Sequence, residues 1–374
     1  MILRDTDDSD PWHFARPDLA AAYLQAFDLK LSSARGLFAR RRMGKTEFLR
    51  RDLLPAAVER GYFVAYTNLW DNRSAPDVAL LSALAEALEP QGVRAVFAKL
   101  GKPVKKIKAS AKIAGAEGSL EAELASAGDS ALALREVLKQ VDKQKRPLLL
   151  VIDEAQVLAL ADNSVFAHAL RAALDIRKDR IKVIFAGSSE TTLREMFARA
   201  SEPFYNWAAL EPFPLLGQEF VAFTVKLLNS MARNRLTVEQ GMFAFEELHR
   251  TPEFFKRFIE RYMLYQLQGV EAALTHTKAS VFSDEHFLRQ WTELNPADQA
   301  VVTMLARGEA DVHGATGLSR LKELTGKPAT KNTAAHALRR LQAQSIVTRL
   351  AVGDYRIEDE AFAEWIRRRA SRQS

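Results

Sequence analysis

The chain has 374 residues and no cysteine, and its 53 lysines and arginines against 47 aspartates and glutamates give a formal charge of +6. This length predicts two or three domains, and the lack of cysteine excludes disulfides, thiolate zinc sites, iron–sulfur clusters and cysteine nucleophiles. The longest purely aliphatic run, Leu148 to Ile152, is far shorter than the ~20 residues that span a bilayer, and the acidic N-terminus lacks the apolar segment of a secretory signal. We therefore expect a cytoplasmic protein with no membrane partner.

Four short apolar runs in the N-terminal half predict β-strands. They are 37–39, 62–69, 148–153 and 182–189. Amphipathic stretches separate them, and continuous apolar strands that alternate with helices favour a parallel sheet covered on both faces. The predicted fold class is therefore α/β.

The stretch from Gln91 to Gly128 interrupts this alternation of strands and helices. It has a loose period of two around Gly115 and Gly118, with lysines in its first half and glutamates in its second. A hairpin would pair these charges across its strands, and we predict an insertion of this kind. A solvated charged excursion is the plainer interpretation, and a basic hairpin that contacts nucleic acid is the more specific one.

The C-terminal part of the chain predicts helices only, up to about residue 292. From Asn295, three helical stretches lead into two β-like runs around Gly353 and Asp354, and a last helix follows. Three helices plus a hairpin are typical of a winged helix-turn-helix. The predicted division is a core at 1–215 with the insertion at about 91–128, a helical connector at 216–292 and a winged helix at 293–374.

A phosphate-binding motif follows the first predicted strand. The residues from Ala39 to Thr46 read ARRRMGKT. In the pattern G-x-x-x-x-G-K-[ST], backbone amides surround phosphates, the lysine contacts the β- and γ-phosphates and the hydroxyl binds Mg²⁺. Gly44, Lys45 and Thr46 fit this pattern, whereas Ala39 occupies the place of the first glycine, which requires a negative φ.

Two acids end the third predicted strand, 108 residues after Lys45. A carboxylate at the end of a buried strand needs a partner, and Mg²⁺ would supply one for Asp153. Glu154 would orient or deprotonate an attacking water, and two solvated acids at a strand end are the plainer alternative. Ser188 and Ser189 end the fourth strand, where one of them would contact the γ-phosphate or the water, or would cap the next helix.

In this order the motifs resemble those of the archaeal-type ATPase family, a branch of the AAA+-related P-loop ATPases close to the signal-transducing (STAND) ATPases. The resemblance begins with FARPDLAAAYLQAF, which is similar to the family's N-terminal segment beside the adenine. It continues with FARRRMGKTEFL, VAYTNLWD, LLLVIDEAQ, FAGSSETTL and DYRIEDEAFAEWIRRR. It implies an α/β P-loop NTPase of the AAA+ type, with a helical connector and a C-terminal winged helix, that uses ATP and Mg²⁺.

The resemblance also implies roles for single residues. Lys45 would bind the β/γ-phosphates, Thr46 and Asp153 would bind Mg²⁺, Glu154 would be the base, and Ser188 or Ser189 would sense the γ-phosphate. The residues expected at the nucleotide are Arg41, Arg42, Met43, Gly44, Lys45, Thr46 and Glu47. The arginines of the loop would face a phosphate or pack over adenine, or would pair with nearby acids.

One feature departs from the family pattern. The family usually has a proline, an aromatic residue and then an arginine after the γ-phosphate sensor, but here Asn206 and Trp207 stand where the arginine is expected. Arg199 is a candidate substitute, and Arg257 is a candidate for a second sensor in the connector. For each of them, a surface arginine is the plainer interpretation.

The winged helix carries the candidate DNA contacts. In a helix-turn-helix the third helix enters the major groove. The candidates are Lys331, Asn332, Thr333, His336, Arg339, Arg340 and Arg349. Residues 295–374 hold 13 lysines and arginines against nine acids, which favours DNA, although many winged helices bind proteins or pack on their own ATPase domain.

These observations predict an ATPase that hydrolyses ATP with Mg²⁺, at a rate that could be slow, and couples its nucleotide state to duplex DNA. The alternative is a STAND-like switch with little turnover that regulates a protein partner or associates with itself, and the missing arginine favours it. A kinase or metabolic P-loop enzyme fits less well, because the chain shows no substrate lid and ends in a winged helix.

Overall fold

A five-stranded parallel sheet forms the centre of the N-terminal part of the protein. The computed structural model describes residues 10–72, 75–88, 120–231, 235–281, 284–309, 311–344, 346–351 and 354–371. The strands are β1 (Ala34–Phe38), β2 (Phe63–Asn68), β3 (Leu148–Asp153), β4 (Ile181–Gly187) and β5 (Ala209–Pro212). Their order is β2-β3-β4-β1-β5 and all neighbours are parallel, which confirms the predicted α/β class.

Burial explains which strands the sequence predicts. Every residue of β3 and β4 is buried, because apolar clusters cover both faces of the sheet and a strand with two covered faces reads as one apolar run. Strand β5 lies at the edge, pairs only with β1 and is half exposed. Its sequence, ALEP, contains no apolar run, so the fifth strand is an addition to the four predicted ones.

Helices flank the sheet and position its loops. The helices described in this part are α1 (Pro17–Asp28), α2 (Lys45–Phe48), α3 (Leu54–Glu59), α4 (Pro76–Leu88), α5 (Leu120–Asp142), α6 (Ser164–Asp175) and α7 (Glu190–Ala198). A π-helical turn, Leu49–Leu53, joins α2 to α3, directly before Pro55, which has no amide hydrogen for an α-helical bond. Two 3₁₀ turns, Ala155–Ala159 and Ala161–Asn163, follow β3.

The predicted charged hairpin is wrong in its second half. Residues 89–119, which contain its lysine-rich half, lie outside the described residues, whereas the chain from Leu120 onward is helix α5. The sequence of α5 is dominated by alanine, leucine and glutamate, which have high helix propensity. The alternation of apolar and polar residues over a short stretch therefore predicted a strand, although the helix propensity of these residues favours a helix.

The C-terminal part contains the connector and the three helices and hairpin of a winged helix. The connector holds α8 (Gln218–Met231), α9 (Val238–Glu247), α10 (Pro252–Leu264), a 3₁₀ turn (Gln266–Gln268), α11 (Gly269–Val281) and α12 (Asp284–Thr292), with no strand in its described residues. The last elements are α13 (Pro296–Ala306), α14 (Ala315–Thr325), α15 (Lys331–Ala343), β6 (Val347–Ala351), β7 (Asp354–Ile357) and α16 (Glu360–Ser371).

The helix ends and the hairpin lie where the sequence predicts them. Gly308 and Gly326 follow α13 and α14 with φ of 79° and 67°, a conformation that favours glycine. Strands β6 and β7 pair antiparallel, and Gly353 lies between them, outside the described residues. These elements have the order of a winged helix-turn-helix.

The connector and the winged helix share a single apolar core. One buried cluster runs from Phe220 in α8 to Ile366 in α16, so no break in the core marks the predicted domain boundary at 292–293, which remains a prediction. The sheet has two clusters of its own, one on each face. In the part of the chain that the structure describes, no helix combines the length and the apolar character needed to cross a bilayer.

Candidate functional site

The loop between β1 and α2 has the geometry of an anion-binding turn. Gly44 precedes α2 with a φ of 80°, and no atom lies within 4 Å of the Cβ position that glycine leaves empty. Gly44, Lys45 and Thr46 line a cavity, and a helix N-terminus attracts anions. Ala39 does not have a positive φ and its amide donates to the Gly187 carbonyl at 3.2 Å, so alanine fits the place of the first glycine.

Asp153 lies fully buried at the end of β3 and accepts hydrogen bonds from several groups. Its carboxylate pairs with the Lys45 ammonium and accepts hydrogen bonds from Thr46 Oγ1 at 2.6 Å, Tyr66 OH at 3.2 Å and the Glu154 amide at 3.0 Å. Burial raises the pKa of Asp153, but the charge and hydrogen bond of Lys45, followed by the other donors, more than offset it and hold the pKa below its usual value. The carboxylate is therefore ionised.

Glu154 follows with a left-handed backbone, φ 55°, which is uncommon for a residue other than glycine. Its Oε2 accepts hydrogen bonds from Gln156 Nε2 at 2.5 Å and from Ser188 Oγ at 2.8 Å. Its Oε1 lies 3.9 Å from Lys45 Nζ. The turn at the end of β3 therefore directs the second carboxylate to the same space as the lysine.

A cavity of about 570 Å³ opens above these groups. Its wall includes all seven loop residues predicted at the nucleotide, Arg41, Arg42, Met43, Gly44, Lys45, Thr46 and Glu47. Glu154 and Ser188 also line the cavity, as do the aromatic residues Trp12, Phe14 and Phe220. A cavity of this size, with both apolar and polar walls, is typical of a site for a nucleotide-sized ligand.

The two serines after β4 have different surroundings. Ser188 lies in the cavity wall and donates to Glu154. Ser189 is the N-cap of α7, where its hydroxyl accepts a hydrogen bond from the Thr192 amide at 3.4 Å and donates to Glu358 Oε1 at 3.0 Å. The two interpretations of this serine pair, cavity contact and helix cap, thus apply to one residue each.

Two loop arginines contact other parts of the protein. The Arg41 guanidinium lies 4.6 Å from the centre of the Trp70 ring. Arg42, which has a φ of 67°, lies 3.6 Å from the Glu253 carboxylate in the connector and 3.4 Å from Asp359 next to α16. Pairing with nearby acids, which the sequence left open, is therefore what Arg42 does in this structure.

The arginine that the family pattern expects has a core residue in its place. Trp207 is buried and packs edge-on against Phe185, which also contacts Phe204. Asn206 is exposed, in a left-handed turn with a φ of 50°. An aromatic ring in the core cannot supply a positive charge to the cavity.

Neither candidate arginine replaces it at the cavity. Arg199 pairs with Glu195 at 3.0 Å, and Arg257 pairs with Glu253 at 2.8 Å. The cation of α10 in the cavity wall is Lys256 instead, one position before the residue chosen from the sequence. A one-residue step along a helix turns a side chain by about 100°, so neighbouring positions are easily confused without the structure.

The sequence also missed Trp12 and His13, which precede α1, whereas Phe14 begins the segment FARPDLAAAYLQAF that the family resemblance places beside the adenine. Trp12, His13 and Phe14 line the cavity, and His13 Nε2 lies 2.7 Å from Asp52 Oδ1. Only tertiary packing brings this segment over the helix that follows the loop. The sequence signal for Trp12 and His13 was the WHF segment shortly before α1.

The predicted DNA contacts fall into three groups. Lys331, Asn332 and His336 are exposed on α15. The Thr333 hydroxyl forms a capping box with Thr330, and the Arg340 guanidinium forms two hydrogen bonds with buried Asp298, at 2.6 and 3.0 Å. Both of these side chains therefore have structural partners already.

The remaining two DNA candidates have different positions. In the backbone register of the β6–β7 hairpin, Arg349 lies opposite Tyr355. Arg339 lines a second cleft, of about 690 Å³, between α15 and the part of the chain that contains the parallel sheet. The opposite wall of this cleft includes Trp70, Gln156 and Glu195. Both walls of the cleft that Arg339 lines are therefore formed by this chain.

Two solved structures share this fold along nearly the whole chain. A Walker-type ATPase of Pyrococcus abyssi is 15% identical, with a TM-score of 0.64 over 98% of this chain and 100% of that one. The ORC2 protein of Aeropyrum pernix, in its ADP form, is 13% identical, with a TM-score of 0.57 over 96% and 94%. The sequence matches no family model, and no curated protein is significantly similar to it. The chain therefore has the AAA+-type fold of the Walker-type P-loop ATPases, as its motifs predict.

Proposed function

We propose that the protein binds ATP with Mg²⁺, hydrolyses it, and couples its nucleotide state to duplex DNA through the winged helix. The observation that carries the proposal is the group formed by Lys45, Thr46 and Asp153 at the start of a helix, beside a cavity of about 570 Å³. A lysine, a hydroxyl and a buried carboxylate in contact are the donor set of a nucleoside triphosphate–magnesium site. The ADP form of the ORC2 protein, which has the same fold, also favours a nucleotide ligand.

The donor set also fits the metal. The Thr46 hydroxyl and the Asp153 carboxylate are oxygen ligands, which Mg²⁺ prefers. Bound there, Mg²⁺ would neutralise charge on the phosphates. Lys45 would exchange its contact with Asp153 for the β- and γ-phosphates, and the amides of the loop would bind their oxygens. At the apolar wall, Phe14 and Phe220 would hold the base.

Hydrolysis needs a group that orients water at the γ-phosphate. Glu154 meets this requirement, because its Oε1 faces the same space as Lys45 while Oε2 is held by Ser188 and Gln156. Ser188 would contact the γ-phosphate and couple it to this carboxylate through its hydrogen bond to Glu154. Lys256 in α10 would supply the connector's positive charge to the phosphates, in place of the Arg257 predicted from the sequence.

The central experiment compares two buried lysines. Lys45→Ala should weaken binding of a fluorescent ATP analogue by at least tenfold and abolish turnover, because the phosphates lose their cation. Lys182→Ala is the matched control, since Lys182 is buried but donates to the Lys178 carbonyl away from the cavity. Equal nucleotide affinity in the two variants would contradict the proposed site.

The coupling to DNA is proposed from contacts between the phosphate loop and the winged helix. Arg42 reaches Asp359, and the cap residue of α7, Ser189, donates to Glu358. A loop that moves when it binds phosphate would therefore act directly on the segment that joins β7 to α16. The basic charge of residues 295–374 favours duplex DNA as the partner of this domain.

A STAND-like switch is the second candidate function. Two observations favour it: a core tryptophan stands where an arginine is expected, and Arg339 faces the ATPase core. Such a switch would hold ADP tightly, turn over less than about once per hour and bind a protein partner. Multiple rapid turnovers of ATP would exclude it, and nucleotide release measured on the purified chain separates the two functions.

A further inference from the structure

The side chain of Gln156 lies between two polar groups of the proposed ATPase site. It is 7% exposed, in the 3₁₀ turn directly after β3. Its amide nitrogen donates to Glu154 Oε2 at 2.5 Å and approaches Ser188 Oγ at 3.3 Å. Its Oε1 is buried and has no hydrogen-bond partner. The amide oxygen of Gln156 is therefore buried without a hydrogen bond, while its amide nitrogen is held against Glu154.

A glycine makes room for this amide. A Cβ at Gly187, the last residue of β4, would lie 2.2 Å from Gln156 Oε1 and 2.7 Å from Leu193 Cδ1. Real Cβ atoms do not approach other atoms so closely, so any other residue at 187 would displace Gln156. Gly187 does not have a positive φ. The space for the amide, rather than backbone strain, is what glycine provides there.

The contacts divide the two oxygens of Glu154 between two tasks. Oε2 accepts hydrogen bonds from both Gln156 and Ser188, so the two lone-pair directions of this oxygen have donors. Oε1 is left for the cavity, on the side of Lys45. A carboxylate with one oxygen fixed in this way cannot rotate without losing two charge-assisted hydrogen bonds, which are the stronger kind.

We propose that Gln156 is a positioning residue for ATP hydrolysis: it clamps Oε2 of Glu154 so that Oε1 alone is presented to the attacking water. This inference rests on the proposed function. Gln156 does not line the nucleotide cavity but lines the second cleft under α15. Gln156 acts through its hydrogen bond to Glu154 and does not contact the nucleotide. The little surface that it exposes lies in the cleft on the side of the winged helix.

The kinetic test uses two substitutions of different shape. Gln156→Ala removes the donor and leaves a void, whereas Gln156→Glu keeps the shape and replaces the donor by a repelling oxygen. Both should lower kcat by roughly 10- to 100-fold, the cost expected for a misplaced catalytic group, while KM and ATP affinity stay unchanged. Gly187→Ala should lower kcat in the same way, because its new methyl group occupies the space of the amide.

Two controls separate a clamp from a general loss of packing. Asn229→Ala removes a half-buried amide that binds the backbone at residue 236, far from the cavity, and should leave kcat unchanged. In a Glu154→Gln background, Gln156→Ala should have no further effect on kcat, because the clamp acts only through Glu154. A kcat loss that persists there, or a change in KM alone, would overturn the proposal.

Nuclear magnetic resonance tests the clamp without a measurement of turnover. The side-chain amide protons of Gln156 should exchange slowly in ¹⁵N spectra, and their shifts should move in Glu154→Ala and Ser188→Ala but not in Asn229→Ala. If these signals behave as expected while the wild-type chain hydrolyses no ATP, the proposed function fails and the clamp stands. Fast exchange of the Gln156 amide in the wild type would refute the clamp, whatever the turnover.

Discussion

At the scale of single residues, the site is defined by what surrounds each carboxylate. Asp153 has no exposed surface and three side-chain donors plus one amide, an arrangement that holds its charge in place. Glu154, one position later, keeps one oxygen toward the cavity. Two adjacent acids therefore have different environments, and different environments allow different chemical roles.

The role of Glu154 gives the first prediction. Glu154→Gln should retain ATP affinity within about twofold and slow hydrolysis by about 100-fold or more, because an amide cannot accept a proton from water. Phosphate release and binding of a fluorescent nucleotide measure the two quantities. Glu195→Gln, on the surface of α7, is the matched control and should hydrolyse at the wild-type rate. Wild-type turnover in Glu154→Gln would remove Glu154 as the base.

Trp207 gives a second prediction, about stability. Trp207→Ala should lower the free energy of unfolding by about 3–5 kcal/mol, the usual cost of removing a large buried ring, because Trp207 packs against Phe185 and Phe204. Tyr205→Ala, at a ring that is 43% exposed, should cost less than about 1 kcal/mol. Denaturant titration measures both. Similar losses in the two variants would show that Trp207 is not a core residue.

At the scale of elements, sequence patterns predict those structures that depend on residues adjacent in the chain. Strands β3 and β4 are apolar throughout because both of their faces are covered, and the loop motif works through consecutive backbone amides, so both are visible in the sequence. The edge strand β5 has one neighbour and a mixed sequence, so no pattern identifies it. Helix α5 was mistaken for half of a hairpin because a short period-two pattern outweighed helix propensity.

The parts of the site that the sequence missed come from distant segments. Lys256 and Trp12 reach the cavity only because the connector and the N-terminal segment pack beside the loop. Gln156 stands in the DEAQ motif, but its meaning depends on Gly187 in the neighbouring strand. Periodicity and spacing carry no information on such contacts, since they depend on how elements meet.

The joint between β7 and α16 contains a group that titrates near neutrality. Burial raises the pKa of Glu358 to about 7, and repulsion from Glu154 and Glu190 adds to this, while the hydrogen bond from Ser189 and the charge of Arg41 oppose it. The winged helix therefore packs on the ATPase core through a carboxyl that is protonated at mildly acidic pH.

A third prediction follows from this raised pKa. A glutamate in the unfolded chain has a pKa of about 4.3, so between that pH and about 7 the folded protein keeps a proton that the unfolded chain has released. The stability from this group is full at low pH and is lost as pH rises through 7. Glu358→Gln should therefore gain stability relative to wild type between pH 5 and pH 8.

Denaturant titrations at several pH values test this sign. Asn332→Ala, at an exposed residue without a titratable side chain, is the control and should differ from wild type by the same amount at every pH. If the difference between Glu358→Gln and wild type is also constant with pH, then Glu358 does not titrate in the docked winged helix.

At the scale of the whole molecule, docking of the winged helix decides which side chains are free for DNA. Lys331 and His336 are exposed, Arg339 is exposed at the second cleft, and Arg340 pairs with Asp298 of α13. The docked arrangement therefore leaves only part of the predicted reading surface open. Breaking the contact between Arg42 and Asp359 should open the second cleft around Arg339.

The fourth prediction concerns duplex DNA. Asp359→Ala should bind DNA several-fold more tightly than wild type at low salt, because it weakens docking, and Lys331→Ala with Arg339→Ala should reverse this gain. Each lost phosphate contact should reduce the slope of log K against log salt by about 0.9. Fluorescence anisotropy at several salt concentrations measures both quantities.

Controls distinguish contact from stability in this experiment. Arg320→Ala, on α14, removes a charge of the same sign and should change DNA affinity less than the double variant does. Arg340→Ala should lower the free energy of unfolding more than DNA affinity, because it leaves buried Asp298 without its partner. If none of these variants binds DNA at low salt, the winged helix serves another partner.

The single core that runs from Phe220 to Ile366 has a mechanical consequence. One end of this body, at Phe220 and Lys256, forms part of the nucleotide cavity, and the other end carries α15. Packed cores resist deformation, so the connector and the winged helix should turn together as one lever about the sheet. A shift of an ångström at Phe220 would then become a larger displacement at the far end, where Lys331 is exposed to solvent.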